Sequence, residues 1–344
     1  MPVLRLDPVR RRWVITGRRP AMPDALDSGD LCPFCPGREG FTPAPIREHR
    51  DAVGNWDVRV FHDRSPLFRV EGGLNREAEG MFDRMNALGA HEIVVESNQH
   101  GKTLAELSPD HIARVLEICR DRIIDLKRDP RFRYVSLFKD QGRVRPAAEE
   151  HGHSQILAIP VIPTLVEREL RWSLFHFQRK ERCIYCDILR QESQAGKRIV
   201  DESSEDICLC PYASRFPYEI SILPVQHNSS FERDMATEAR LLSLARFLKI
   251  NLLRVQKISD KLRLVLHTEP NLAAYGSQPD RWKTVRDDFH WHIEVYPELD
   301  GETGHFGAES FYFNPVPAEE AALALRAVEL ETGGMFSPEV KGTG

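Results

Sequence analysis

Two rhythms of apolar residues alternate along the chain. In AELSPDHIARVLEICRDRIIDLKRD, residues 105–129, they return at helical spacing. Ser108 stands at the N-cap of that pattern and Pro109 at its first helical position. MATEARLLSLARFLKINLLRVQKIS, residues 235–259, predicts a second helix, and PAEEAALALRAVELE, residues 317–331, a closing one. Between them, short apolar or alternating runs predict strands: HEIVVE, RYVSLFK, SQILAIPVI, EDICLCPY, YEISILPV, LRLVLHT and FHWHIEVYP. RDPRF, the segment 188–206 and HTEPNLAAYGSQPDRW predict loops. The order is that of an α+β protein with mainly antiparallel strands and a helix packed on each set.

The pattern occurs twice. EIVVESNQHGKTL, residues 92–104, and EISILPVQHNSSF, residues 219–231, share Glu-Ile, an apolar run, Gln-His, two residues, a hydroxyl residue and an apolar one. Each half opens on a Cys-x-x-Cys and ends on a His-x-His strand. The first half reads Cys32, Cys35, His100, His151, His153, and the second Cys183, Cys186, His227, His290, His292. Three matches in one order predict a duplicated unit, divided at 1–170 and 171–344.

Thiolate and neutral imidazole suit zinc, and four protein ligands make a closed, structural site. The first set is Cys32, Cys35, His100 and His151; the second is Cys183, Cys186, His227 and His290. No thioredoxin-like context surrounds either cysteine pair, which weighs against redox chemistry. The remaining three of the seven cysteines, Cys119, Cys208 and Cys210, read as core.

EEHGHSQILAIP, residues 149–160, places His151, His153 and Gln155 on one face of a strand. If His151 binds metal, His153 is left free beside a rigid neighbour; both rings on one metal would instead give five protein ligands. A neutral, partly desolvated imidazole is a nucleophile for phosphorus. Gly152 and Ser154 are small enough for a nucleotide backbone to approach, and Ser154 is counted with the substrate contacts. Gln155 can donate to a phosphoryl oxygen, whereas Glu294 of HWHIE would repel one. Chemistry is therefore expected on the first half, at His153 and Gln155, with His292 supporting.

Bulk properties narrow the class. A net charge of −5 argues against a nucleic-acid partner. Of the 344 residues 41% are apolar, enough for a sizeable core, yet no run approaches the roughly 20 residues of a membrane-spanning helix. The opening MPVLRLDPVRRRWVITG lacks an apolar signal-peptide core, and an odd cysteine count does not make a disulfide framework. A soluble, cytoplasmic protein is expected.

The motifs resemble galactose-1-phosphate uridylyltransferase and its relatives in the histidine-triad superfamily. The resemblance runs through WVITGRRP, CPFCPG, GAHEIVVES, NQHGKTLAEL, FKDQG, HGHSQ, FPYEISILPVQH, FHWHIEVYP and FNPVPAEEAA, nearly the whole chain. It implies two histidine-triad-like halves forming one open antiparallel sheet or half-barrel with outer helices, as a homodimer. It also implies ping-pong transfer: His153 takes UMP from a UDP-hexose and passes it to a hexose 1-phosphate, while Gln155 holds the phosphoryl oxygens. The superfamily's hydrolases carry a third histidine where Gln155 stands. By position, Arg19, Lys139 and Gln141 would lie by phosphates, Asp63 and Arg64 by the nucleoside, and Glu309 by the sugar.

The chain also departs from the family pattern. Asp63-Arg64-Ser65-Pro66 replaces the commoner Asn-Arg-Phe-Pro, Asp140 stands where asparagine is common, and Pro146-Ala147-Ala148 lacks a phosphate-contacting serine. The second cysteine pair resembles the two-zinc branch, which includes ADP-glucose phosphorylase. Adenylyl transfer from an ADP-sugar to phosphate, nucleotide hydrolysis and nucleotide binding without turnover are the alternatives.

Overall fold

The computed structural model describes residues 2–17, 32–142, 151–276, 280–299, 304–306 and 311–330. The expected contacts Arg19 and Glu309 lie outside these residues. The centre is one open, antiparallel, ten-stranded sheet. From edge to edge it runs Ile199–Glu202, Asp206–Leu209, Ile220–Pro224, His292–Pro297, Leu262–His267, Tyr134–Gln141, His153–Ile159, Ala90–Val95, Trp56–His62 and Arg47–Arg50. Each half of the chain contributes five strands in the same relative order. The halves join where Leu264 pairs with Lys139 and Leu266 with Leu137. A smaller four-stranded sheet of Trp13–Thr16, Val3–Leu6, Phe82–Asn86 and Glu77–Glu79 belongs to the first half.

One face of the large sheet is covered by the two expected helices, Pro109–Leu126 and Glu238–Gln256. The first begins where Ser108 Oγ accepts the His111 N–H at 3.2 Å. It buries Ile112, Val115, Leu116, Cys119, Ile123 and Leu126, a stripe of helical period. The second begins at Thr237, whose Oγ1 accepts the Arg240 N–H at 3.2 Å, and buries Leu241, Leu244, Leu248, Leu252 and Val255. Both stripes enter one core with Val94, Ile156, Leu137, Leu264, Ile293 and Ile222 from the sheet. Cys119, Cys208 and Cys210 are buried there as well. The closing helix spans Ala318–Arg326.

The segment expected as loop at 188–206 is ordered otherwise. It holds most of a helix, Ile184–Ala195, and the edge strand Ile199–Glu202. In that helix Leu189 packs with Ile207, Leu209 and Leu223. Buried Glu192 pairs with Arg198 at 2.7 Å, and Gly196 ends the helix at φ +64°. A further helix, Thr164–Lys180, crosses between the halves.

Candidate functional site

Strand alternation sorts the residues of HGHSQ. His153, Gln155 and Leu157 are half-buried on the sheet face away from the two long helices, while Ser154, Ile156 and Ala158 are buried against them. Gly152 has a separate cause: a Cβ there would lie 2.6 Å from the Lys102 carbonyl oxygen.

His153 donates from Nδ1 to the His151 carbonyl at 2.9 Å. That bond fixes the tautomer and leaves the Nε2 lone pair directed away from the strand. Burial holds the ring's pKa below the ordinary value, so it stays neutral near pH 7. Phe34 lies edge-on at 5.5 Å between ring centroids and limits its rotation.

His151 is anchored beside it. It is buried, donates from Nε2 to the Ser97 carbonyl at 2.7 Å, and turns Nδ1 toward Cys32 Sγ at 3.5 Å and Cys35 Sγ at 3.8 Å. Cys35 Sγ is also 3.5 Å from His100 Nδ1. The ligand atoms of Cys32, Cys35, His100 and His151 all lie within 4.8 Å of one another, as do those of Cys183, Cys186, His227 and His290. In the second set Cys186 Sγ is 3.3 Å from His227 Nδ1 and 3.7 Å from His290 Nδ1. Both rings are tied back through Nε2, to the carbonyls of Arg286 and Pro224, each at 2.9 Å. Cys183 holds the Cys186 thiol far below its ordinary pKa, and His227 and His290 add to the effect. Each set can hold a four-coordinate metal ion.

A third group gathers Glu169, His267, His292 and Glu294. Its charges are satisfied internally: His267 Nδ1 meets Glu169 at 2.7 Å, and Glu294 meets Arg215 at 2.7 Å. His292 repeats the local geometry of His153, with Nδ1 donating to the His290 carbonyl at 3.1 Å. Unlike His153 it is sealed, only 4% exposed, with Tyr185 at 5.2 Å and His267 at 4.6 Å between ring centroids. Tyr185 and His267 occupy the space beside the ring expected to support the substrate.

The same alternation places two other residues expected by the substrate. Lys139 points into the core side, 2% exposed, and pairs with Glu96 at 2.8 Å. Ser154 also faces inward and donates to Glu96 at 2.6 Å. Gln141 donates to the Asp260 carbonyl at 3.1 Å and bridges the two halves. Arg64 keeps a buried Nη1 without a hydrogen-bond partner among the described residues. Asp63 accepts the Ser65 N–H at 2.9 Å and faces His91 Nδ1 at 3.0 Å, in a contact too bent for a hydrogen bond.

His91 is a residue the sequence reading passed over. It is 3% exposed, and its Nε2 donates to Gln155 Oε1 at 3.0 Å. The available signal was alternation in GAHEIVVES, which sets His91 on the face of Ile93. That Ile93 pairs with Gln155 comes only from strand register.

The fold and the comparisons that follow define a class, the nucleotidyltransferases. Residues 10–163 match the galactose-1-phosphate uridyl transferase N-terminal domain. The chain is 29% identical to ADP-glucose phosphorylase of Arabidopsis thaliana, over 96% of this chain and 93% of the relative. It is 27% identical to galactose-1-phosphate uridylyltransferase of Thermotoga maritima, over 96% and 100%. A solved uridylyltransferase superimposes with a TM-score of 0.77 at 25% identity, covering 95% of this chain and 98% of the other. A crystal structure of the Arabidopsis ADP-glucose phosphorylase with bound ADP-glucose gives 0.73 at 28%, covering 96% and 100%. Over most of its length the chain is similar to galactose-1-phosphate uridylyltransferases and to ADP-glucose phosphorylase, and it is an enzyme of the nucleotidyltransferase class. No helix among the described residues is long and apolar enough to cross a membrane.

Proposed function

We propose that His153 carries a nucleoside monophosphate between a nucleoside diphosphate hexose and a phosphate-bearing acceptor, with a UDP-hexose and a hexose 1-phosphate as the substrates. The observation that carries the reading is the His153 tautomer, held by its own chain, with no partner at Nε2 among the described residues. In the first step the Nε2 lone pair attacks the α-phosphorus. The Nε2–P bond forms, and the bond to the leaving hexose 1-phosphate breaks with its electron pair on that phosphate. The His151 carbonyl supports the positive charge the ring then bears. In the second step an acceptor phosphate oxygen attacks the same phosphorus, the Nε2–P bond breaks, and the ring returns neutral. Both leaving groups are stable, so no strong general acid is needed, and positioning and charge stabilisation supply the rate. Gln155 donates to the phosphoryl oxygens, and the unpaired Arg64 Nη1 supplies a cation near the nucleoside.

The two Cys2His2 sets hold Zn2+, as structural ions that pin Cys-x-x-Cys loops to strands from elsewhere in each half. Bonds of about 2.3 Å to sulfur and 2.0–2.1 Å to nitrogen give a tetrahedral S···N edge of about 3.6 Å. The S···N distances in the first set are 3.5 to 3.8 Å. With its units at 1–170 and 171–344, the protein is proposed to act as a cytoplasmic homodimer; sedimentation at the mass of one chain would refute the dimer.

A second reading, adenylyl transfer from an ADP-sugar to phosphate, is favoured by the second Cys2His2 set and by the likeness to ADP-glucose phosphorylase. Radiolabelled UDP-glucose and ADP-glucose are each incubated with the protein, and acid-labile label on the chain is measured. Label from UDP-glucose supports uridylyl transfer, and label from ADP-glucose alone supports the second reading. His153→Ala should abolish the adduct and leave the metal content unchanged; an adduct on that variant would overturn the assignment.

A further inference from the structure

A cavity of about 480 Å³ lies between the small sheet, the crossing helix and the second half of the chain. It is remote from the nucleophile. His153 and Ile159 begin and end one strand, roughly 20 Å apart, and the cavity is lined by Pro160, Val161 and Ile162 beyond that far end. The transfer proposed above makes no use of it.

Its charge is out of balance. Arg11, Arg76, Arg84, Arg133 and Arg281 line it, against Glu77, Asp83 and Glu167. Five guanidiniums against three carboxylates leave a surplus of two positive charges. Arg84 takes Glu77 at 2.6 Å, and Arg281 lies 3.6 Å from Glu167, which Arg171 already holds at 2.8 Å. Arg11, Arg76 and Arg133 have no side-chain hydrogen bond or ion pair among the described residues. A concave site of one sign focuses its field on a counter-ion. A phosphate monoester, with a charge of about −1.5 to −2 near pH 7 and three acceptor oxygens, matches the surplus.

The principal cation is held in place. Arg133 donates its N–H to the Ile159 carbonyl at 2.8 Å, and its own carbonyl accepts the Asn271 N–H at 3.0 Å. Asn271 also caps the turn Leu272–Tyr275, its Oδ1 accepting the Ala273 N–H at 3.2 Å. That turn sets the buried Tyr275 ring against Arg133, with 5.1 Å from guanidinium to ring centroid, and Arg281 lies over the same ring at 5.5 Å. Arg11 keeps a left-handed backbone at φ +55°, a conformation costly for a residue with a side chain. Buried Leu6, Met85 and Ile162, with half-buried Trp13, supply an apolar wall for a carbon skeleton.

We propose that this cavity binds a small organic phosphate, a monoester dianion whose phosphate is taken by Arg133 and whose carbon body lies on the apolar wall. Arg76 and Arg11 add attraction at the rim. The ligand bridges the two halves, since Arg133 and Trp13 belong to the first and Tyr275 and Arg281 to the second.

Phenyl phosphate is the probe, titrated by calorimetry, with melting temperatures recorded on the same samples. One equivalent should bind per chain, and at about a hundred times its Kd the melting temperature should rise by about 4 °C. Methyl phosphate should bind about tenfold more weakly, because it has no ring to cover the apolar wall. Benzoate should bind about tenfold more weakly, because it lacks the second charge and the third acceptor oxygen. Arg133→Met should weaken phenyl phosphate binding by about tenfold or more. Arg76→Met, a change on an exposed side chain that leaves the core intact, should weaken it by about threefold. Gln155→Ala, in the candidate transfer site, should leave it unchanged. An affinity kept in both arginine variants, or lost in Gln155→Ala, overturns the proposal. Equal binding of phenyl phosphate, methyl phosphate and inorganic phosphate would reveal exposed cations only, and overturns it as well.

Discussion

Lys139→Met separates a structural lysine from a phosphate-binding one. Lys139 and Glu96 are 2% and 1% exposed and 2.8 Å apart. Ser154 donates to the other Glu96 oxygen at 2.6 Å, and Lys139 also donates to the His153 carbonyl at 3.3 Å. Removing the ammonium leaves a buried carboxylate with one hydroxyl donor in place of a cation. Breaking a buried pair in this way costs about 3–5 kcal/mol, because the remaining charge is uncompensated. For a chain of 344 residues the unfolding entropy is on the order of 0.7 kcal/mol/K, so the melting temperature should fall by about 4–7 °C. Lys139→Met/Glu96→Gln should recover most of the loss, since the amide keeps an acceptor for Ser154 without a charge. Calorimetry gives the melting temperatures, and initial rates give KM for the sugar phosphate, expected to change by less than about threefold. An unchanged melting temperature with a KM raised by about tenfold would mean that Lys139 reaches substrate after all, and the reasoning would fail.

Two other perturbations test separate parts of the molecule. Cys186→Ser should lower the bound metal by one equivalent per chain and leave the first set loaded, as read by elemental analysis; loss of both metals would refute independent sites. Burial opposes the charge of Glu232, but Lys127, whose Nζ lies 2.6 Å away, outweighs it and depresses the carboxyl pKa. A depressed folded-state pKa gives stability that is present above the unfolded value near 4.5 and lost as pH falls through the folded one. Lys127→Met should therefore lose stability at pH 7 and flatten the stability profile on the acid side below pH 4.5, measured by urea unfolding. An unaltered slope there would refute the pairing.

Elements whose cause is local or repeated are legible from the residues alone. Ser108 and Pro109 mark a helix start because capping is a contact between near neighbours. The two ordered sets of cysteines and histidines identified the groups the fold gathers, because metal-ligand chemistry depends on residue type. The open antiparallel sheet with outer helices followed from the pattern and the resemblance together. The helix Ile184–Ala195 buries Leu189 and Glu192, and its packing on Ile207, Leu209 and Leu223 comes from strands further along the chain. Which neighbour each face meets follows from the packing of distant segments. Lys139 and Ser154, expected by the substrate from their motifs, meet Glu96 in the fold. His292, the local counterpart of His153, was sealed by His267 and Tyr185 from distant segments. His91 gained its place against Gln155 from register alone. Strand pairing brings together residues separated by tens of positions, and a one-residue slip would reverse every face. A single chain's sequence carries the alternation but not the partner.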